Sequence, residues 1–223
     1  MDAARARLVD DLRREVHDER VLAAIGDVRR EDFVPDDLRR FAYEDRALPI
    51  GEGQTISQPL IVALMTEAIE PQPGDRVLEL GTGSGYQAAV LSRLVREVIT
   101  VERVEALLER ARVALSRAGC DNVRAFEAGE TLGRPEDAPY DAIIVTAAAP
   151  HVPQALLAQL APGGRMVLPV GDRRAQELVR VRKDARGGIV LERLGACAFV
   201  PLIGAEAFAA GDPAEASRRF KVR

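Results

Sequence analysis

The first 46 residues carry apolar positions at helical spacing and no strand pattern. Leu8, Leu12 and Val16 recur at four-residue steps, which predicts an amphipathic helix over residues 3–16. A second helix is predicted to begin near Asp18, and a short one is predicted over residues 36–43. We therefore expect the N-terminal part of the chain to form a helical cap.

After residue 59 the pattern changes to alternating helices and buried strands. The predicted helices cover residues 59–69, 87–94, 104–117 and 153–160. The predicted strands cover residues 77–80, 98–101, 123–126, 141–145 and 165–168. This alternation is typical of an α/β fold with a mostly parallel, doubly wound sheet and helices on both faces.

The C-terminal part of the chain follows a different pattern. Residues 178–182 and 189–194 read as an antiparallel hairpin, and residues 199–202 as a last edge segment. From Ala205 the chain is small and polar, so we expect a loosely held tail over 205–223. The expected organisation is a single domain over 1–204, with the cap at 1–46 and the core at 47–204.

A glycine motif follows the first predicted strand of the sheet. Glu79 precedes Gly81, Gly83 and Gly85, and a helix is predicted directly afterwards. Glycines let a backbone approach a ligand, and a helix N-terminus offers free N–H groups. A dinucleotide fingerprint requires G-x-G-x-x-G, whereas here the third glycine comes one residue early. The E-x-G-x-G-x-G form is that of S-adenosylmethionine (AdoMet) methyltransferases, although a glycine turn can also serve packing alone.

Further polar groups come at the ends of later strands, where an open α/β sheet binds ligands. Glu102 lies 21 residues after Gly81 and suits the two hydroxyls of a ribose, because a carboxylate has two acceptor oxygens. NAD requires the same acid, so Glu102 does not decide the cofactor, and a solvated strand-end charge is the plain alternative. Gly129-Glu130 and residues 146–150 follow two other strands.

Ser57 lies in a loop predicted over residues 47–59, where two glycines and two prolines stand around polar residues. It has two interpretations. Its hydroxyl could cap the helix that follows, where Pro59 is in the first turn. Alternatively, the loop places that hydroxyl over the cofactor site.

Composition narrows the possible partners and compartments. The chain has 223 residues, 47% hydrophobic and 30% charged, with a net charge of −4. This balance gives no basic footprint for nucleic acid or for an anionic membrane. No apolar run reaches the roughly 18 residues of a membrane span, and the N-terminus lacks the apolar core of a signal peptide. Cys120 and Cys197 are expected to be free thiols in a reducing cytoplasm.

Other catalytic apparatus is missing from the sequence. His17 and His151 have no metal-ligand spacing around them, and neither G-x-S-x-G nor a P-loop occurs. A methyl acceptor that is an alcohol or amine would usually require a base. A carboxylate acceptor is already ionised at neutral pH, so its methylation could depend mainly on positioning.

Five segments of the chain together resemble one family. They are ALPIGEGQTISQP at 47–59, LELGTGSGYQ at 78–87, DAIIVTAAAP at 141–150, GGRMVLPVG at 163–171 and FVPLIG at 199–204. In this order, from about residue 5 to 204, the chain resembles the protein-L-isoaspartate O-methyltransferase family. The Q-T-I-S-Q-P loop is far more specific for that family than the glycine motif.

The resemblance implies AdoMet-dependent methylation of the α-carboxylate of L-isoaspartyl residues in damaged proteins, with S-adenosylhomocysteine as product and no metal. The ester would close to a succinimide that hydrolyses partly to normal aspartate. The implied fold is the Rossmann-like methyltransferase sheet with its last two strands rearranged. The implied partners are isoaspartyl-containing proteins and peptides, not nucleic acid or membrane, and the protein is expected to be a cytoplasmic monomer.

The same resemblance implies a set of site residues. Ser57 matches the active-site serine and also contacts cofactor and substrate. The cofactor set is Gln54, Thr55, Ile56, Glu79, Gly81, Thr82, Gly83, Gly85, Glu102, Arg103, Gly129 and Glu130. The segment that flanks the isoaspartyl peptide is Val200, Pro201 and Leu202.

The chain departs from the family after the third strand of the sheet. The family has Gly-Asp-Gly there, where the Asp approaches the adenine amino group, whereas residues 127–131 read Glu-Ala-Gly-Glu-Thr. Either Glu130 takes the role from one position later or backbone groups suffice.

Three alternatives remain open on the sequence. The same fold could methylate an aspartate of a dedicated peptide, although relatives of that kind often carry an added recognition domain. A related oxidoreductase could bind NAD, against which the early third glycine argues. A non-catalytic AdoMet-binding protein is the third.

Overall fold

The computed structural model describes residues 1–209. Its helices are α1 (Asp2–Leu12), α2 (Glu19–Asp27), α3 (Pro59–Ala68), α4 (Tyr86–Ser92), α5 (Glu105–Arg117) and α6 (Gln154–Gln159). Its strands are β1 (Leu48–Gly51), β2 (Gln54–Ile56), β3 (Arg76–Leu80), β4 (Glu97–Glu102), β5 (Val123–Glu127), β6 (Tyr140–Val145), β7 (Leu160–Gly171), β8 (Gln176–Lys183) and β9 (Ile189–Cys197).

Seven strands form one twisted sheet in the order β5-β4-β3-β6-β7-β8-β9. The first five in that order are parallel, whereas β8 and β9 pair antiparallel at one edge. The strand order reverses direction between β3 and β6, which is where an open α/β sheet opens a crevice for a ligand. The predicted α/β fold, with its parallel sheet and C-terminal hairpin, is confirmed.

The central strands are buried on both faces. β3, β4 and β6 each have at most one residue that is not fully buried, which explains their continuous apolar runs. On one face, α1 to α5 pack around a core that includes Val77, Val98 and Ile144. The other face packs against α6 and the segments around Leu132 and Leu202.

The N-terminal 46 residues contain only helices among their regular elements. α1 and α2 match the predicted pair, and the side chain of Asp18 caps α2 by accepting a hydrogen bond from the Arg20 N–H at 2.9 Å. Two short 3-10 helices follow, at Arg30–Phe33 and Asp36–Phe41. The predicted helix over 36–43 is therefore present as a shorter 3-10 turn.

The predicted loop over residues 47–59 is wrong in its first part. β1 and β2 pair there as a small antiparallel hairpin, with Leu48 opposite Ile56. Its tip, residues 51–53, has three consecutive positive φ angles of 88°, 53° and 68°. The glycines therefore mark a tight turn as expected, while strands of four and three residues are too short to show a period in the sequence.

The C-terminal expectations also need correction. Residues 199–202 do not form a sheet edge. Instead, just beyond the end of β6, the Ala148 N–H donates to the Val200 carbonyl and the Ala148 carbonyl accepts from the Leu202 N–H, which forms an isolated bridge between Ala148 and Pro201. β7 begins at Leu160, before the strand predicted over 165–168, and its register against β6 is irregular between Leu160 and Arg165. Glu206 accepts a hydrogen bond from the Gln154 N–H at 2.6 Å. The rest of the expected tail, 210–223, lies outside the described residues.

The actual edge of the sheet is β9, which carries large exposed apolar side chains. Val190 is 61% exposed and Leu191 is 59% exposed, and they point to opposite faces of the strand. The β8–β9 register shifts at the end of this exposed run: Leu178 pairs with Gly195 and Val179 with Arg193, so Leu194 of β9 has no partner in the ladder. Among residues 1–209, no further strand pairs with the outer side of β9, which lies beside these apolar side chains.

Candidate functional site

One large cleft lies at the carboxyl ends of β3, β4 and β6. It encloses about 1120 Å³, including the space at its open mouth. Five segments form its wall: residues 54–57, 80–87 except Gly85, 101–104, 128–133 and 200–204, joined by Val62, Thr146 and Ala147. The cleft therefore occupies the crevice that the strand order predicts.

Most residues predicted for the site lie on this wall. These are Gln54, Thr55, Ile56, Ser57, Gly81, Thr82, Gly83, Glu102, Arg103, Gly129, Glu130, Val200, Pro201 and Leu202. Two are not on it. Glu79 is fully buried beneath the glycine loop, and Gly85 packs away from the cleft against α5.

The glycine loop, residues 81–85, is held against the neighbouring strands by its own backbone. The N–H groups of Gly81 and Thr82 both donate to the Val101 carbonyl, at 2.9 and 3.2 Å. Gly83 donates to Glu102, and Gly85 donates to the Thr82 carbonyl at 2.8 Å. Because these amides are used internally, the loop itself offers a ligand close backbone approach rather than free N–H donors.

Glycine is required at Gly81 and Gly85 for two different reasons. Gly81 has a φ of 93°, and a Cβ there would overlap the Thr146 hydroxyl, which donates to the Leu80 and Gly81 carbonyls. Gly85 has a φ of 88°, and a Cβ there would lie 3.2 Å from Leu115 Cγ on α5. The first glycine thus fits the loop to β6, and the third fits it to a helix.

Glu102 supports the loop and faces the cleft at the same time. Its Oε2 accepts a hydrogen bond from the Gly83 N–H at 2.9 Å, and its Oε1 accepts one from the Val104 N–H at 2.9 Å. A carboxylate has about four acceptor positions, so two remain for donors in the cleft. Since Glu102 lines the cleft and is only 7% exposed, it is well placed to accept from a pair of vicinal hydroxyls.

Glu79 is connected to the cleft wall only through two threonine hydroxyls. Its Oε2 accepts a hydrogen bond from the Thr100 hydroxyl at 2.6 Å, and that hydroxyl is 2.7 Å from the Thr82 hydroxyl on the cleft wall. Its Oε1 is buried and has no hydrogen-bond partner in the described part of the chain. Burial raises the pKa of Glu79 to about 8, against the lowering effect of the Thr100 hydrogen bond, and the nearby Glu102 raises it further.

Ser57 is free of the capping role that was its alternative interpretation. Gln58 precedes α3 as its N-cap and makes no side-chain cap hydrogen bond. The Leu60 N–H donates instead to Asp45 Oδ1 at 2.9 Å, so a residue distant in sequence satisfies the helix start. The Ser57 hydroxyl makes no hydrogen bond within residues 1–209, and Ser57 lines the cleft.

The segment after β5, residues 128–133, is fixed by a glutamine that the sequence did not single out. Gln159 on α6 is 3% exposed; its Nε2 donates to the Leu132 carbonyl at 2.7 Å, and its Oε1 accepts from the Arg134 N–H at 2.8 Å. Glu130 is exposed at the cleft rim. The segment therefore has a defined shape without the Asp that the family pattern would supply.

Several wall residues were missed by the sequence reasoning. They include Val62, Ser84, Tyr86, Gln87, Leu132 and Ile203. Thr146 and Ala147 also lie on the wall, as expected from the strand end at residues 146–150. The missed residues lie on helices or in loops, and their side chains carry no local signal for a ligand.

Comparison with known proteins decides the family. The family model described as Protein-L-isoaspartate(D-aspartate) O-methyltransferase (PCMT) matches residues 3–207. The chain belongs to this family. The family expectation drawn from the five sequence segments is thereby confirmed.

Curated protein-L-isoaspartate O-methyltransferases align over most of their own length. The one from Methanoculleus marisnigri is 55% identical over 191 residues, covering 86% of this chain and 86% of its own. The one from Methanopyrus kandleri is 53% identical over 211 residues, covering 92% and 93%. The family assignment thus includes both the cap and the sheet.

Solved structures of the same family share the architecture. A protein-L-isoaspartate O-methyltransferase gives a TM-score of 0.80 at 31% identity, covering 90% of this chain and 66% of that one. A Plasmodium falciparum structure described as a putative member, in complex with S-adenosyl-L-homocysteine, gives 0.76 at 26% identity, covering 88% and 96%. The protein is therefore a methyltransferase of this family by sequence and by fold.

Two classes of feature are not found in the described residues. No group of three or more His, Cys, Asp or Glu side chains within 1–209 is arranged to hold a metal ion. Over the same residues, no helix has the length and apolar character needed to cross a membrane.

The buried carboxyl of Glu79 should make stability depend on pH. Between its unfolded value near 4.5 and its folded value of about 8, the folded protein keeps the proton that the unfolded chain releases. The stabilisation that this proton provides is therefore fully present below pH 4.5 and is lost as pH rises through about 8. Glu79→Gln resembles the protonated form at every pH. We expect its free energy of unfolding to exceed that of the wild type increasingly over this range, by at most roughly 1.4 kcal/mol per pH unit.

Urea unfolding at pH 5, 6, 7 and 8 measures this difference. Glu15→Gln, which removes an exposed carboxylate of the cap, serves as the control and should not reproduce the growing difference expected of Glu79→Gln. A Glu79→Gln difference equally flat across the four pH values would show that Glu79 is ionised in the folded protein.

Proposed function

We propose that the protein transfers the methyl group of AdoMet to the α-carboxylate of L-isoaspartyl residues in damaged proteins and peptides. The observation that carries this proposal is the cleft itself. The glycine loop, Glu102 and the loop bearing Ser57 converge on it, beside the segment 200–204. The family membership supports the reaction, and the geometry supports the roles given to individual residues.

The residues of the cleft fit AdoMet. Glu102 retains acceptor capacity for two ribose hydroxyls, and the glycine loop leaves no side chain at Gly81 and Gly83 to block a ligand. Thr82 and Arg103 line the same part of the wall, while Gly129 and Glu130 border it next to Leu132. We assign the adenine end to this last segment, held by Gln159, with Leu132 supplying apolar surface.

The departure from the Gly-Asp-Gly pattern bears on that end of the cleft. Glu130 is exposed at the rim, so its carboxylate stays in contact with solvent. A hydrogen bond to an exposed carboxylate contributes little, because water also hydrogen-bonds to both groups. We therefore assign most of the adenine binding to shape and to backbone groups of residues 128–133.

The acceptor carboxylate needs no base, since it is ionised at neutral pH. When bound, AdoMet supplies a methyl group on a sulfonium centre; a carboxylate oxygen forms the new bond to that methyl as the bond to sulfur breaks. The chain contributes positioning and exclusion of water. Ser57, with a hydroxyl not engaged elsewhere, is assigned to orient the carboxylate, and Gln54, Thr55 and Ile56 close the loop over both ligands.

The segment Val200, Pro201 and Leu202 is assigned to flank the isoaspartyl peptide. Backbone hydrogen bonds to Ala148 hold it at the cleft, with the Ala148 N–H donating to the Val200 carbonyl at 2.8 Å. This places a short extended segment at the mouth of the site, where an extended peptide can lie beside it.

Further expectations from the sequence are retained as proposals. The protein acts as a monomer in the cytoplasm, without a nucleic-acid or membrane partner. It is organised as one methyltransferase domain over 1–204, divided into the cap at 1–46 and the catalytic core at 47–204.

Methyl transfer to a matched pair of peptides tests the reaction. We expect base-labile labelled methyl on a short peptide containing L-isoaspartate and none on the same peptide with normal aspartate. Label on the aspartyl peptide would contradict the proposal, and so would label on neither peptide while AdoMet still binds in calorimetry.

Removing Ser57's hydroxyl tests its catalytic role. Ser57→Ala should lower kcat for the isoaspartyl peptide by about tenfold to a hundredfold, because an oriented hydrogen bond to the acceptor is lost. AdoMet affinity should change less than about threefold. Ser84→Ala, at another hydroxyl on the cleft wall, is the matched control and should retain most of the activity. An unchanged kcat for Ser57→Ala would remove it from the mechanism.

Glu102 should determine cofactor affinity. Glu102→Ala loses the charge, both supports of the loop and the ribose acceptor, so AdoMet and S-adenosylhomocysteine should bind at least about tenfold more weakly in calorimetry. Glu105→Ala, at an exposed carboxylate three residues further on, should bind as the wild type does. Equal affinities for Glu102→Ala and the wild type would exclude Glu102 from the ribose site.

A further inference from the structure

Arg30 is a cation buried without an ionic partner. It belongs to the N-terminal cap, has 0% of its surface exposed, and has no carboxylate within 4.0 Å among residues 1–209. Burial lowers the pKa of its guanidinium, opposed by Tyr86, Asp45 and Tyr43. Burying a charge is costly unless its hydrogen bonds are satisfied, so the groups that surround Arg30 indicate what it does.

Three backbone carbonyls receive hydrogen bonds from its Nη1 and Nη2 atoms, whereas its buried Nε has no partner among residues 1–209. Nη1 donates to the Ala42 carbonyl, while Nη2 donates to the Arg46 carbonyl at 3.2 Å and to the Ser57 carbonyl at 2.9 Å. The first two carbonyls lie in the cap, and the third lies in the loop that closes the cleft. One planar group therefore joins the cap to the residue assigned to the methyl acceptor.

The guanidinium also contacts the glycine-loop side of the cleft. Its Cζ lies 5.7 Å from the ring centroid of Tyr86, the first residue of α4. Phe33, three residues after Arg30, packs edge-on against the same ring with the centroids 5.7 Å apart. Tyr86 is 1% exposed and lines the cleft, so Arg30 touches both the cofactor side and the Ser57 side.

We propose that Arg30 is a positioning residue for methyl transfer, which fixes the Ser57 backbone relative to the glycine loop so that the Ser57 hydroxyl faces the acceptor. This inference rests on the proposed function of Ser57. Nothing else on the described chain holds the Ser57 peptide by its carbonyl or its hydroxyl. A shift of about 1 Å at such a position can cost roughly a hundredfold in rate, so the Arg30 bond has a functional consequence beyond stability.

Lysine cannot replace this arrangement. Its ammonium is a compact charge, whereas the guanidinium spreads its donors in a plane and can lie over an aromatic ring. Arg30→Lys thus keeps the positive charge and changes the geometry. Arg30→Gln removes the charge and keeps a planar donor group.

A double-mutant cycle with Ser57→Ala tests the inference. In the wild-type background we expect Arg30→Lys and Arg30→Gln to lower kcat at least about tenfold, with AdoMet Kd changed less than about threefold. In the Ser57→Ala background the same substitutions should lower kcat less than about twofold further, because the hydroxyl they position is gone. Amide hydrogen exchange of residues 54–58 should be faster in both Arg30 variants.

Arg110→Lys is the matched control. Arg110 is exposed on α5 and donates to the Ile50 carbonyl of the same loop region at 3.1 Å, yet it does not contact Ser57. We expect its kcat to stay within about twofold of the wild type. Assays are run well below the thermal midpoint of each variant. If one of the two Arg30 variants is unfolded at the assay temperature, the result of the other is used.

The outcomes separate this inference from the proposed function. If the wild type does not methylate the isoaspartyl peptide, the proposed function fails. If the wild type does so but the losses from Arg30 and Ser57 simply add, Arg30 does not act through Ser57 and the inference is overturned. If the Arg30 variants keep the wild-type kcat and differ only in a lower thermal midpoint, Arg30 has a purely structural role and the inference is likewise overturned.

Discussion

The site depends on one constraint: the chain must leave β3 and cross directly over the end of β4. The Val101 carbonyl receives two amides of the glycine loop, and the Leu80 carbonyl receives the Thr146 N–H from the other neighbouring strand, at 2.9 Å. These bonds exist only because β3 is in parallel register with both β4 and β6. The sheet thereby determines the shape of the loop, and the loop determines where a cofactor can lie.

The helical cap is the second support of the cleft, and it acts from the opposite side. Sheet and cap meet at Tyr86, whose ring contacts Phe33 and the Arg30 guanidinium. Asp45, also in the cap region, satisfies the start of α3. The cap is therefore part of the architecture of the site rather than an addition at its periphery, which agrees with a family match that extends from residue 3 to residue 207.

The sequence was sufficient for those parts of the molecule whose physical cause is local. Strands such as β6 are buried on both faces and therefore appear as continuous apolar runs, and the glycine motif shows where the backbone needs positive φ. The hairpin β1–β2 was missed because its strands are too short for periodicity. Arg30 and Gln159 were missed because their burial depends on tertiary packing. The chain has 31 lysine and arginine residues, and nothing in the local sequence distinguishes Arg30 from the others. The resemblance to a family supplied the role of Ser57, which the residues alone left undecided.

The edge that β9 forms in the described part of the sheet has a consequence for the association of this protein with other chains. Edge strands with unpaired amides and carbonyls can accept a strand from another chain, and apolar neighbours such as Val190 and Leu191 favour that addition. The irregularity at Leu194, at the end of this run, interrupts the ladder and limits the length over which a foreign strand could stay in register. The described part of the sheet thus carries a pairing surface that a local irregularity in its own edge strand keeps short.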